Sequence, residues 1–218
     1  LTSIRANAET LLDPGVPLSD ADRTRYVEGV LEESRRLDRL IRDLFDLARL
    51  EAGASALQRE RLDWGALGRN TGERFRPRFE RAGLALDWLP GADESWIEAD
   101  GHRMEQVLEN LLGNALHYVP RGGHVKIQLT RSSGEPARYR LEVRDDGPGL
   151  AEAELPRVFE RFYRGADVRG AGTGHELGGT GLGLAIVREI VERHGGRVAA
   201  AAEKPRGLRI TVELPAHS

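Results

Sequence analysis

The chain has 218 residues, 39% of them hydrophobic, with a formal net charge of -3 and a pI near 6.1. That is enough apolar material for a core in one or two domains, and the mild acidity excludes a protein held to nucleic acid by a broad basic surface. The absence of cysteine excludes disulfides, thiolate metal sites and a cysteine nucleophile, and no run approaches the roughly 20 apolar residues of a membrane span.

Leu1 is not a methionine and the chain opens in mid-pattern without a helix cap or signal peptide, so a fragment of a longer protein is expected. Leu1, Ile4, Ala8, Leu11 and Leu12 recur at helical spacing until Asp13-Pro14-Gly15 breaks the helix. Ser19-Asp20-Ala21-Asp22 then offers an N-cap with acidic residues at the positive end of a helix dipole. From Tyr26 and Val27 through Val30, Leu31, Leu37, Leu40, Ile41, Leu44, Leu47 and Ala48 runs a long apolar stripe opposite a face dense in Arg and Glu. An antiparallel hairpin cannot bury so wide a stripe by itself. A homodimeric four-helix bundle is therefore expected, the alternative being that the hairpin packs on its own downstream region.

Glu51 to Ala56 loses the repeat and reads as a linker, which divides the chain into 1–53 and 54–218. Beyond it, Leu84/Leu86/Trp88, Val125/Ile127/Leu129, Tyr139/Leu141/Val143 and Ile210/Val212/Leu214 alternate as half-buried strands. Helical patterns lie between them at Trp64 to Phe79, Arg103 to Tyr118 and Leu182 to His194. The expected fold is α+β, a helical hairpin followed by an α/β sandwich with one mixed sheet whose single apolar face is covered by helices.

On the middle helix, Met104, Val107, Leu108, Leu111, Leu112 and Ala115 form one arc, with Arg103, Asn110, Asn114 and His117 beside it. Asparagine suits a helix interior poorly, so the i, i+4 pair is either two surface amides or a pair aimed at a cleft, able to ligate a hydrated cation such as Mg²⁺. The strand from Tyr139 runs into Asp145-Asp146-Gly147-Pro148-Gly149, either a solvated turn or a buried carboxylate able to accept from an exocyclic amine. Phe159 to Arg164 is an aromatic and basic cluster, with Phe159 and Phe162 either the anchor of the loop that follows or, by default, core residues. The glycine-rich stretch 165–178 follows, expected to act as a lid that orders only with a ligand. Last comes Gly178-Gly179-Thr180-Gly181-Leu182-Gly183-Leu184, a glycine loop opening a helix, which suits phosphate. It has no Walker A lysine and no preceding strand at Rossmann spacing.

In order and spacing, Asn110-x-x-x-Asn114, Asp145-x-Gly147-x-Gly149, Phe159/Phe162 and Gly179-x-Gly181-x-Gly183 resemble the N, G1, F and G2 boxes of sensor histidine kinases, and the resemblance covers essentially the whole chain. It implies a truncated dimerisation and phosphotransfer hairpin joined to an ATP-binding domain of the GHKL or Bergerat type. Asn114 would ligate Mg²⁺, Asp145 would bind the adenine amine, and Gly147 and Gly149 would let the backbone close over the base. Gly179, Gly181 and Gly183, with Thr180, Leu182 and Leu184 between and after them, would hold the triphosphate of ATP. Asn110, His117, Tyr118 and Arg164 occupy neighbouring box positions that would line the cleft. The resemblance further implies a response-regulator receiver domain as partner, a cytoplasmic location and membrane attachment only through segments outside this chain.

One departure is that the phosphorylated histidine of the family would fall before Leu1, since His102, His117, His124, His175, His194 and His217 all lie beyond the hairpin. Such a fragment would bind ATP and dimerise without phosphorylating itself. A rival within the fold is a nucleotide-gated ATPase, which would place a glutamate base where this chain has Asn110, with Glu109 adjacent. A rival from another class is a degenerate dimeric scaffold that docks a regulator without chemistry.

Overall fold

A computed structural model of the chain describes residues 2–53, 56–89, 91, 94–132, 134, 136–165 and 179–217. Helix α1 (Thr2–Leu12) ends where Asp13 turns the chain, its Oδ1 accepting from the Gly15 N–H at 2.8 Å. Helix α2 (Asp20–Glu51) begins at Ser19, whose hydroxyl accepts from the Asp22 N–H at 3.1 Å. Only Leu47 and Leu50, in the last turns of α2, are buried, and they join the main core beside α5 (Gly183–Arg193). The stripe ahead of them stays open, with Leu31 49% and Phe45 66% exposed. Both sequence expectations for the hairpin thus meet in one helix: its end packs downstream, and its middle offers an apolar face.

The main sheet has five strands, β2 (Ala85–Trp88), β4 (His124–Arg131), β5 (Arg138–Asp145), β6 (Arg197–Ala202) and β7 (Leu208–Pro215). Their order is β2-β4-β5-β7-β6, with β2 parallel to β4 and the other pairs antiparallel. Registers Ile127↔Val143↔Ile210 and Leu129↔Leu141↔Val212 put alternate apolar residues in rows on one face, all buried. On the opposite face Arg140 pairs with Glu213 across strands at 2.7 Å. Helices α3 (Trp64–Ala82), α4 (Gly101–Tyr118) and α5 cover the apolar face. The arc expected on α4 is buried in full, each such side chain contributing about 1.5–3 kcal/mol relative to exposure.

Three strands escaped the sequence reading. β1 (Glu60–Asp63) pairs antiparallel with β3 (Trp96–Ala99) as a separate two-stranded sheet, each too short for alternation to register. β6 is an alanine-rich edge, and alanine carries no strand signature. The core placement expected for Phe162 is corrected: Phe159 is buried, but Phe162 is 55% exposed at φ 60. Its left-handed backbone directs the N–H inward to the Gly181 carbonyl, at 2.9 Å, and the ring outward. The stretch 166–178, where a lid was expected, lies outside the described residues, as does Gly178.

Candidate functional site

The cleft opens where β5 ends and β7 begins, beside α4. Val143 and Ile210 form its floor, Leu111, Asn114, Ala115 and Tyr118 one wall, and Leu150, Val158, Tyr163 and Arg164 the other, enclosing with the open mouth about 810 Å³. A slot with apolar walls and one carboxylate at its end suits a planar heterocycle.

That carboxylate is Asp145, the last residue of β5. Its Oδ1 accepts from the Gly147 N–H at 2.9 Å and the Leu208 N–H at 3.2 Å, while Oδ2 makes no hydrogen bond among the described residues. Burial raises its pKa, the two amides oppose that rise, and the nearby charges of Asp146 and Glu203 add to it. Asp146 instead clasps His124, accepting from its backbone N–H at 2.8 Å, which ties the end of β5 to the start of β4. Gly149, at φ 73, lies against the β6–β7 turn: a β-carbon there would stand 2.8 Å from the Gly207 carbonyl oxygen.

The mouth of the cleft is polar. A β-carbon on Gly179 would lie 3.9 Å from the Tyr118 hydroxyl, whose pKa burial raises and the Arg164 charge lowers. Arg164 Nε is buried without a hydrogen-bond partner among the described residues, a donor that an incoming anion would satisfy. Gly181, at φ 73, meets the Phe162 backbone so closely that a β-carbon would come to 2.9 Å of Phe162 Cα. Helix α5 then starts at Gly183 with no side-chain cap from Leu182, leaving its dipole available to a negative group.

Among the residues named from sequence, Asn114, Tyr118, Asp145, Gly149, Arg164 and Leu184 line the cleft together. Gly147 serves it from behind, through its amide on Asp145. Asn110 sits at the start of α5, where a β-carbon on Gly183 would stand 3.1 Å from its Oδ1. His117 stacks edge-on against Tyr118 with ring centroids 4.5 Å apart. The Leu182 side chain is in the core, and its N–H donates to Thr180 Oγ1 at 3.2 Å. Gly207 and Leu208 were missed: Glu203 to Gly207 reads as an ordinary hairpin turn, and nothing local shows that it grips Asp145. The described residues contain no cluster of three acidic or histidine side chains that could hold a metal alone, so a cation here would depend on phosphate oxygens as well.

A mixed sheet with helices on one face, a strand-end carboxylate and a glycine-rich helix start define an ATP-binding α/β sandwich. Residues 99–218 match the histidine kinase-, DNA gyrase B- and HSP90-like ATPase family, and residues 1–53 match the His Kinase A (phospho-acceptor) domain. The chain belongs to the first of these families, and the phospho-acceptor match precedes the ATPase match along it. It is 39% identical over 220 residues to the sensor protein SphS of Synechococcus elongatus, covering 99% of this chain and 51% of that protein. To the sensor histidine kinase WalK of Bacillus subtilis it is 33% identical over 215 residues, covering 99% and 34%. Among solved structures, full-length ShkA in complex with AMPPNP superimposes with a TM-score of 0.71 at 29% identity, over 99% of this chain and 43% of that one. The chain thus spans about half, or less, of the length of these relatives. Among the described residues no helix is long and apolar enough to cross a membrane.

Proposed function

We propose that the cleft binds Mg-ATP with the adenine amine on Asp145 Oδ2 and the phosphates at the mouth. The observation that carries this reading is the division of labour on Asp145: one oxygen is held by two backbone amides, and the other is left as an acceptor at the end of an apolar slot. Arg164, Tyr118 and the backbone from Gly179 to Leu184 meet the triphosphate, and Asn110 and His117 support that wall. Asn114 is the protein ligand of Mg²⁺, which when bound neutralises phosphate charge. The AMPPNP complex of ShkA supports a nucleotide in this fold.

We further infer that residues 1–53 and 54–218 are two functional units, and that the intact protein transfers the γ-phosphoryl group to a histidine and then to an aspartate of a response-regulator receiver domain. Residues 1–53 contain no histidine, so the acceptor imidazole comes from outside this stretch. The hairpin dimerises through the stripe around Val27, Leu31, Ile41 and Leu44, all of them exposed. The core works in the cytoplasm, where ATP is available, with any membrane attachment through other segments.

The water-activating ATPase is the weaker reading, because Glu109 lies outside the cleft lining and pairs with Arg74 at 3.4 Å. Calorimetric titration with AMPPNP, with and without Mg²⁺, tests the proposal. Tight binding that improves with Mg²⁺ is expected; absence of heat would overturn it, and steady phosphate release from ATP would favour the ATPase.

A further inference from the structure

The last turns of α2 make polar contacts with α4, α5 and the segment around Arg161. Asp46 accepts from Arg103 Nη1 at 2.8 Å and from Gln106 Nε2 at 2.6 Å, both on α4. Glu51 pairs with Arg161, and the Leu50 carbonyl accepts from Arg193 Nη1 at 3.0 Å. None of these partners lines the cleft.

A further contact reaches the glycine loop ahead of α5, which also lies outside the cleft lining. The Thr180 hydroxyl donates to Asp43 Oδ2 at 2.8 Å while its oxygen accepts from the Leu182 N–H at 3.2 Å. Thr180 Oγ1 thus sits on the Leu182 amide just ahead of α5, and a carboxylate of the hairpin holds that hydroxyl in place. That is the point at which the proposed triphosphate must dock, bringing several negative charges to the same amides and dipole. Asp43 is half-buried, with Asp46 adjacent and Arg39 and Arg42 partly balancing the two carboxylates. Two anions on one helix start repel each other, and the occupied amide must be vacated before a phosphate oxygen can take it.

Building on the proposed nucleotide site, we propose that Asp43 and Thr180 form a nucleotide-sensitive latch, in which their hydrogen bond holds the hairpin against the ATP-binding domain and a bound triphosphate breaks it. Hairpin docking and nucleotide binding then compete, and by linkage whatever weakens the latch tightens nucleotide by the same factor.

Two variants separate the latch from simple charge repulsion. Asp43→Asn removes the charge and keeps an acceptor for Thr180, whereas Asp43→Ala removes both. The latch orders AMPPNP affinity as Asp43→Ala above Asp43→Asn above wild type, with the alanine variant roughly tenfold tighter, as expected for losing a hydrogen bond to a charged group. Equal affinities for the two variants would overturn it. The second readout is geometric. Because the chain has no cysteine, cysteines placed at the exposed positions of Arg35 and Lys126 take spin labels cleanly. In labelled chains diluted into unlabelled ones, the distance between the labels should be narrow in the empty wild type, and should shift or broaden on adding AMPPNP. Asp43→Ala should show the shifted distribution without nucleotide. One unchanged distribution in all three samples, with AMPPNP bound, would overturn the latch and leave the nucleotide reading standing. No binding by any variant would remove both.

Discussion

Gly207 stands so close to Asp145 that a β-carbon on it would come within 1.8 Å of the Asp145 carbonyl oxygen, and its φ of 119 is a conformation only glycine adopts without strain. Gly207→Ala should therefore cost about 3 kcal/mol through overpacking and backbone strain combined. Urea unfolding would measure this. Nucleotide affinity should fall as well, because the neighbouring Leu208 amide moves off Asp145.

Asp145→Asn makes a sharper test of base recognition. Two backbone N–H groups point at the Oδ1 position, so the asparagine oxygen must go there and its NH₂ must face the slot. A donor then confronts the adenine amine, and adenine nucleotide affinity should drop by about 2 kcal/mol or more. A 6-oxopurine nucleotide should lose less, since its carbonyl can accept. Competition between the two nucleotides is the measurement, and an unchanged preference would refute the assignment. Without nucleotide the variant should be no less stable than wild type, because a buried charge has been removed while both amide bonds remain.

Binding should also depend on pH through the same residue. Burial raises the Asp145 pKa from its ordinary value, so protonation, which puts a donor in place of the acceptor, sets in at higher pH than for an exposed aspartate. Affinity should fall as pH drops toward that raised value. The stability contribution has the opposite sign: the folded chain holds this proton more tightly than the unfolded one, so the contribution is complete below the unfolded pKa and lost as pH rises through the folded one. Calorimetry from neutral pH down toward the ordinary aspartate value of about 3.9, with Asp145→Asn as the flat control, separates this from other titrations.

His194 sets a stability limit on the acid side. Its Nδ1 lies 2.7 Å from the Ile190 carbonyl, which can only accept, so Nδ1 carries the proton and Nε2 accepts from the Asp100 N–H at 3.0 Å. Burial lowers its pKa. The stability it contributes is present above the unfolded value of about 6.5 and drains as pH falls through the lower folded one. Denaturant unfolding at several pH values should show this slope, and His194→Gln should flatten it.

The dimer reading is tested on α2. Leu44→Glu changes a side chain 43% exposed, ahead of the buried Leu47 and Leu50, so the fold should persist while light scattering shows a shift from dimer to monomer. An unchanged dimer mass would place the interface elsewhere.

Periodicity revealed the elements whose signals are long and local. The stripe on α2, the arc on α4 and the alternating rows of β4, β5 and β7 are all where their apolar residues put them. The order of Asn114, Asp145 and the glycine loop along the chain also identified the family. Contacts between distant segments left no trace. Asp43 reads as one more charge on a helix face, and Gly207 as one more turn glycine. Phe162 is exposed although aromatic character argues for burial, and its left-handed backbone, bonded to the Gly181 carbonyl, has no local sequence signal.

The Leu208 amide that holds Asp145 is made 63 residues later than the carboxylate it grips, on a strand that inserts between β5 and β6. On the ribosome, helices α1 and α2 emerge before the strands, with the apolar end of α2 exposed until they follow. The site for the base can close only once β7 has slotted into the middle of a sheet whose other strands are already made. A chain whose synthesis stops short of Leu208 would then keep its hairpin and its capacity to pair with other copies, yet carry no working pocket, and would reach the dimer as an inert subunit.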